Sequence, residues 1–355
     1  MKERIEKIRA SLAEGEAALI ESGANRFYLT GFSSSAGYVL ITRKSASFIV
    51  DFRYEEKARA TVTSAEVILM ENPYLQIAER MQADGATVLY VEAEDTSLSA
   101  FARLKKNLPS LILANDDKID RALRSSRAIK SAEEMGYIRE AQRMTDETFS
   151  YILDRIAVGR TEREVMLDME FFMRRMGSEG VAFDFIVVSG KNSSLPHGVP
   201  TDKKIERGDF VTMDFGAVCN GYRSDMTRTV ALGEVSEEGR RVYDTVLAAQ
   251  AASLAAIRAG AACRDVDAAA RDLINEAGYT GCFGHGLGHS VGIDIHESPA
   301  CSPRSEATLE RGMLMTVEPG VYLEGKFGVR IEDLVIVTDT GYENLTKSEK
   351  KLIIL

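Results

Sequence analysis

Short apolar runs alternate with helix-patterned stretches through the first third of the chain. AALI (17–20), GYVLI (37–41), SFIVD (47–51), EVILM (66–70), TVLYVE (87–92) and LILA (111–114) have the length and composition of strands. Between them, RYEEKARATV (53–62) and LQIAERMQA (75–83) space their apolar residues as helices do. This rhythm predicts an α/β domain with a mixed sheet. A charged helical stretch begins near 121, and Ser131 followed by Glu133 and Glu134 reads as a helix start, with acidic residues complementing the dipole. The domain boundary is accordingly expected within 121–128, giving domains 1–124 and 125–355. TEREVMLDMEFFMRRMG predicts a further helix, capped by Thr161 and ended by Gly177. From 181 onward FDFIVVSG, FVTMDFGA and GYRSDMTRTVAL read as strands between glycine turns. Helices are expected over 236–258 and 264–277, then glycine-rich GHGLGH and two single strands, MLMTVEPGVYL and VRIEDLVIV. Strands, then helices, then strands again make the second domain α+β.

At 355 residues, 45% of them hydrophobic, the chain can build two ordinary cores. A net charge of −10 argues against nonspecific nucleic-acid binding, which needs basic surface. No run approaches the ~20 apolar residues of a membrane span. The N-terminal twenty residues carry charges throughout, with no apolar core of signal-peptide length. Cys219, Cys263, Cys282 and Cys301 lack CxxC spacing and read as thiols of a reducing compartment. A cytoplasmic protein without membrane contact is the expectation.

Chemistry gathers in the second half. The four histidines, His197, His285, His289 and His296, all lie beyond residue 196. Asp214 and Asp225 stand eleven residues apart around AVCNGY, a turn that would let a hairpin bring them face to face; two surface aspartates beside a turn is the plainer alternative. GHGLGHSVGIDIHE puts three histidines among glycines that break any helix, so this backbone bends around something. Glu318 in MTVEPGVY and Glu332 in GVRIEDLVIV sit within apolar runs, where a solvated face is hard to provide. One imidazole with four carboxylates suits a pair of hard or borderline dications such as manganese, because four negative charges nearly balance two dications.

DFGAVCNGYRSDMTRTV, GHGLGHSVGIDIHE, MLMTVEPGVY and GVRIED resemble, in order and spacing, the motifs of the pita-bread metallopeptidases, and within them those of Xaa-Pro dipeptidase (prolidase) and aminopeptidase P. NRFYLTGFSSSAGYVLI and SFIVDFRYEEKA resemble the creatinase-like N-terminal domain of the same proteins. The resemblance implies a pita-bread catalytic domain after a smaller α/β domain, and two divalent ions, manganese first, with cobalt or zinc as alternatives. It implies that Asp225 and Glu332 bridge the metals, that Asp214 binds one, and that His289 and Glu318 complete the other. The shared water would become the bridging hydroxide nucleophile, with Glu318 carrying its proton. His197 and His296 match positions that contact substrate and steady the tetrahedral intermediate, while His285, Tyr322 and Arg330 match pocket positions. Proline-containing di- or oligopeptides are the implied substrates and a homodimer the implied assembly. Phe327 stands where many relatives carry a second glycine before GVRIED.

Two other readings share the resemblance: a creatinase-like C–N hydrolase working without metals, and a non-catalytic binding relative. Both usually lack ligands that this chain retains. Between the peptidases, dipeptide cleavage is favoured if Arg330, expected on one strand face with Glu332, pairs with a substrate carboxylate. Arg304 is the other candidate clamp, with a plain surface role the alternative.

Overall fold

The structure, a computed structural model, describes residues 1–355 and divides into two compact units, Met1–Arg127 and Ala128–Leu355. No helix is long and apolar enough to cross a membrane.

In the first unit, β1 (Glu16–Ile20), β2 (Tyr38–Thr42), β3 (Ala46–Val50), β4 (Glu66–Leu69), β5 (Val88–Val91) and β6 (Ile112–Ala114) form one mixed sheet in the order β4-β3-β2-β1-β5-β6. α1 (Lys2–Ala10), α2 (Gly23–Thr30), α3 (Phe52–Thr61), α4 (Pro73–Asp84), α5 (Leu98–Asn107) and α6 (Lys118–Ala128) accompany it. Leu19, Leu40, Ile49, Ile77, Met81 and Leu89 are central to its core. The six expected strands are present. α1, α2 and α5 have no counterpart in the sequence reading, although Ser22 and Gly31 bracket α2 as N-cap and left-handed C-cap.

The second unit opens with α7 (Ala132–Leu153) and α8 (Glu162–Arg175), each started by a capping box, from Ser131 with Glu134 and from Thr161 with Glu164. They pack on a sheet of β7 (Ile186–Ser189), β8 (Phe210–Phe215) and β11 (Met226–Ala231), burying Phe149, Met169, Val187 and Met213. Between β8 and β11 lies a two-rung hairpin of β9 (Val218–Cys219) and β10 (Tyr222–Arg223). Its Asn220-Gly221 turn has φ of 47° and 76°, as a tight primed hairpin turn requires. A second core joins α9 (Glu237–Ala256) and α10 (Cys263–Ile274) to the C-terminal strands.

Those strands differ from expectation in an instructive way. MLMTVEPGVYL forms two strands, β14 (Leu314–Val317) and β15 (Gly320–Leu323), interrupted at Glu318-Pro319. VRIEDLVIV likewise contributes β16 (Phe327–Arg330) and β17 (Asp333–Val337), interrupted at Ile331-Glu332. β14 pairs with β17 and β15 with β16, so both strands break side by side. Proline has no N–H to donate across the break. The two glutamate N–H groups bond elsewhere, Glu318 to the Leu287 carbonyl and Glu332 to that of Thr227. β18 (Tyr342–Asn344) extends β17, and β12 (Gly288–Ser290) pairs with β13 (Glu297–Cys301) across the histidine segment. Phe327 begins β16 with its ring 5.4 Å from Phe210, where it fills the second core.

Directly behind the break, Arg228 and Asp333 form an ion pair at 2.8 Å with side chains 1% and 0% exposed. Arg228 also donates to the Thr227 and Glu332 carbonyls, while Lys350 and Asn344 donate to Asp333. Burial pushes the Asp333 carboxyl up, but Arg228 and Lys350 hold it below its ordinary range. Asp333→Ala leaves a buried arginine without its counter-charge, so a loss of about 3–5 kcal/mol is expected from urea unfolding. A loss below about 1 kcal/mol would show that the pair is not a structural anchor.

Candidate metal centre

Asp214 lies on β8 and Asp225 just before β11. The β8–β11 register sets Asp214 opposite Thr227, which corrects the expected face-to-face aspartate pair. Asp225 is instead the diagonal neighbour, two positions from Thr227 on the same face and within reach of Asp214. Gly216 permits this: a Cβ there would fall 1.9 Å from the Ser224 carbonyl oxygen, so only glycine lets the turn close on the residue preceding Asp225. Glu332 enters from the β16–β17 break, and ligand-capable oxygens of Asp214, Asp225 and Glu332 all lie within 4.8 Å of one another.

His289 arrives from β12. A Cβ on Gly288 would fall 2.1 Å from the Thr316 carbonyl oxygen, so glycine there lets β12 lie directly against β14. His289 Nδ1 is 3.1 Å from the Ser290 carbonyl, which makes it the donor and leaves Nε2 as a lone-pair nitrogen. Nε2 faces Glu318 Oε1 at 3.4 Å and Asp225 Oδ2 at 3.7 Å. Burial lowers the His289 pKa to about 4, so the ring is neutral at physiological pH.

The carboxylates do not coexist comfortably. Burial first, then the charges of Glu332, Asp214 and Glu318, raise the Asp225 pKa well above its ordinary value. Burial, with Glu318 and Asp214, does the same to Glu332. Burial pushes Glu318 up to about 8, with Asp214 adding to the rise and Arg330 opposing it. Asp214 Oδ1 and Glu332 Oε1 are buried without any hydrogen-bond partner. Orphaned carboxyl oxygens beside a neutral imidazole lone pair are a ligand set suited to cations, whose charge would hold the carboxyls ionised, and oxygen-rich ligation suits hard or borderline ions. The residues present therefore fit a divalent metal centre.

A hydrogen-bonded chain borders the cluster. Arg330 Nη2 donates to Asp214 Oδ2 at 2.7 Å, Nε to Thr227 Oγ1 at 2.9 Å, and Nη1 to Tyr322 OH at 2.8 Å and the Pro196 carbonyl at 3.2 Å. Tyr322 OH lies 2.9 Å from His285 Nε2, whose Nδ1 faces the Gly286 carbonyl. Thr227 in turn donates to Glu332 Oε2 at 2.7 Å. Burial and then Arg330 lower the His285 pKa to about 4. Arg330 ends β16 while Glu332 falls in the break, so the expected shared strand face is replaced by a link through Thr227. The sequence alone carries no signal for Thr227, although it lies within the DFGAVCNGYRSDMTRTV motif, two residues after Asp225.

His296 is exposed, its ring edge-on to His289 at 4.4 Å between centroids. His197 is exposed on the Leu195–Pro200 segment, the stretch Arg330 tethers through Pro196. Arg304 is exposed on the turn after β13 and makes no ion pair there.

Residues 136–339 match metallopeptidase family M24, and residues 4–128 match the creatinase/prolidase N-terminal domain. An Xaa-Pro dipeptidase of Pyrococcus furiosus is 36% identical over 99% of this chain and 100% of its own length. Among solved structures, an Xaa-Pro dipeptidase from Bacillus anthracis is 41% identical with a TM-score of 0.95, covering 99% of each chain. An X-Pro aminopeptidase from Thermotoga maritima is 35% identical with a TM-score of 0.89, covering 98% of this chain and 99% of its own. With its carboxylate–histidine cluster placed on that fold, the chain belongs to metallopeptidase family M24, carrying a creatinase/prolidase N-terminal domain ahead of the catalytic one.

Proposed function

We propose that this metallopeptidase is an Xaa-Pro dipeptidase, hydrolysing the bond ahead of proline with two divalent ions, manganese foremost, at Asp214, Asp225, His289, Glu318 and Glu332. The observation that carries it is the convergence of Asp214, Asp225 and Glu332 with two orphaned oxygens, in a chain whose relatives include named Xaa-Pro dipeptidases. Bound there, two cations supply a water of lowered pKa and a Lewis acid for the scissile carbonyl.

The chain's own groups do the rest. Glu318, set in the β14–β15 break with Oε1 3.4 Å from His289 Nε2, is placed to take a proton from the attacking water and hand it to the departing proline nitrogen. That nitrogen is a tertiary amide in the substrate and has no N–H, so it must receive its proton on leaving. His296 and His197 donate to the oxygen that gains charge as the carbonyl becomes tetrahedral. His285, Tyr322 and Arg330 form the wall of the pocket, and Arg330 fixes Asp214 in its place.

One observation favours the second reading, an aminopeptidase P acting on Xaa-Pro-Yaa peptides. Arg330 is already committed to Asp214, Tyr322, Thr227 and Pro196, and so is poorly placed to clamp a dipeptide carboxylate.

Metal titration of chelated protein tests the shared part. Manganese or cobalt at about 100-fold over Kd should stabilise the fold by about 2.7 kcal/mol for each ion bound and restore hydrolysis of an Xaa-Pro substrate, with magnesium weaker. Hydrolysis by protein shown to be metal-free would defeat the proposal.

A further inference from the structure

Glu162 opens α8 yet is fully buried, and its carboxylate points away from the helix toward residues 189–201. One oxygen, Oε1, accepts from Ser189 N at 2.7 Å and Ser189 Oγ at 3.0 Å. The other, Oε2, accepts from Thr201 N at 3.0 Å and Thr201 Oγ1 at 2.6 Å. Asn192 Nδ2 reaches both oxygens, at 3.1 and 3.2 Å. A single carboxylate thus gathers the two ends of one excursion, from the close of β7 through the 3₁₀ turn Gly190–Ser194 to Thr201. That excursion carries His197 at its tip.

Within the segment Ser193 is also held, its Oγ accepting from Gly328 N at 2.9 Å, and Gly198 and Pro200 are buried, so the freedom that remains lies at the exposed residues between them. Leu195, His197 and Val199 are exposed, and Arg330 bonds the Pro196 carbonyl beside His197. A helix cap does not explain this geometry, because Thr161 already caps α8 with Glu164. Nor does the cluster of carboxylates, in which Glu162 takes no part.

We infer that Glu162 is a positioning residue: by closing the base of the 190–200 segment it fixes His197 over the metal centre. The inference rests on the substrate contact assigned to His197 above. Donors that must meet a transition state gain from being held in advance, and a misplacement of about 1 Å can cost on the order of 10²-fold in rate. Glutamine at this position keeps the shape but offers one acceptor oxygen, and its NH₂ confronts donors.

Glu162→Gln, His197→Ala and the double variant, assayed as metal-loaded enzymes on an Xaa-Pro dipeptide, form the test. Glu162→Gln should lower kcat on the order of 10–100-fold, leave bound metal unchanged, and speed hydrogen exchange across residues 190–200. In the His197→Ala background it should change kcat by less than about 2-fold, since residues acting as one unit are non-additive. Equal losses in both backgrounds, or wild-type kcat for Glu162→Gln beside an impaired His197→Ala, would overturn the inference alone. Wild-type kcat for His197→Ala would overturn the role given to His197 and the inference with it, and unchanged exchange would refute the anchoring directly. Should Glu162→Gln fail to fold, Thr201→Val removes one donor and enters the same cycle.

Discussion

Asp225→Asn is expected to fold, to bind fewer than two metal ions, and to lose more activity than the roughly 10–100-fold that follows loss of an outer-shell partner. Asp225 is the centre of the cluster: its oxygens approach Asp214 and Glu332 on one side and His289 on the other. A carboxylate there can offer one oxygen to each of two cations; an amide offers a single neutral oxygen and a pair of donors that repel metal. The same change should act in the opposite direction on the metal-free protein. Burial and the charges of Glu332, Asp214 and Glu318 make an ionised Asp225 unfavourable in the metal-free fold, so a permanently neutral amide removes that penalty. Metal-free Asp225→Asn should therefore melt at or above the metal-free wild type, yet gain less on adding manganese. Elemental analysis, thermal melts with and without manganese, and turnover together decide it. Wild-type metal content with wild-type turnover would remove Asp225 from the ligand set.

The periodic parts of this fold could be read from the chain, and the site could be read from its exceptions. Six strands of the first unit announce themselves by apolar runs, and Ser131 and Thr161 mark real helix starts, because hydrophobic period and capping chemistry are local properties. Glu318 and Glu332 were visible as carboxylates misplaced in apolar strands. What local pattern does not carry is that both strands break at those glutamates, each break depending on the neighbouring strand and on carbonyls of Leu287 and Thr227. Register was equally hidden: the Asn220-Gly221 turn supports a hairpin, but the primary pairing is Asp214 with Thr227, displacing Asp225 to the diagonal. Glu162, an acidic residue after a helix cap, is ordinary first-turn sequence. Its role depends on Ser189, Asn192 and Thr201, 27 to 39 residues away, and only folding brings them together. The partner choice of Arg330 belongs to the same class, since Asp214 lies 116 residues from it.

That partner choice bears on substrate length. On the dipeptidase reading, an Xaa-Pro dipeptide should be cleaved far faster than its C-terminal amide. A site built to pair a carboxylate leaves buried groups unmatched when the charge is missing, and discrimination on the order of 10⁴–10⁵ is attainable in such sites. Four of the five Arg330 N–H groups are taken by Thr227, Pro196, Tyr322 and Asp214, so a two-pronged pairing with a substrate carboxylate would have to release one of them. Arg304, exposed and without an ion pair on the turn after β13, is the other candidate cation. If it closes over the substrate, Arg304→Met should raise KM for the dipeptide while leaving the amide unaffected. An aminopeptidase must instead leave the C-terminal side of proline open, and would cleave the amide and a tripeptide as fast as the dipeptide or faster. Measuring kcat/KM for one dipeptide, its amide and its one-residue extension separates the two. A collapse on the amide keeps the dipeptidase assignment, whereas equal or rising rates move the chain to the aminopeptidase reading with the metal centre and Glu318 unchanged.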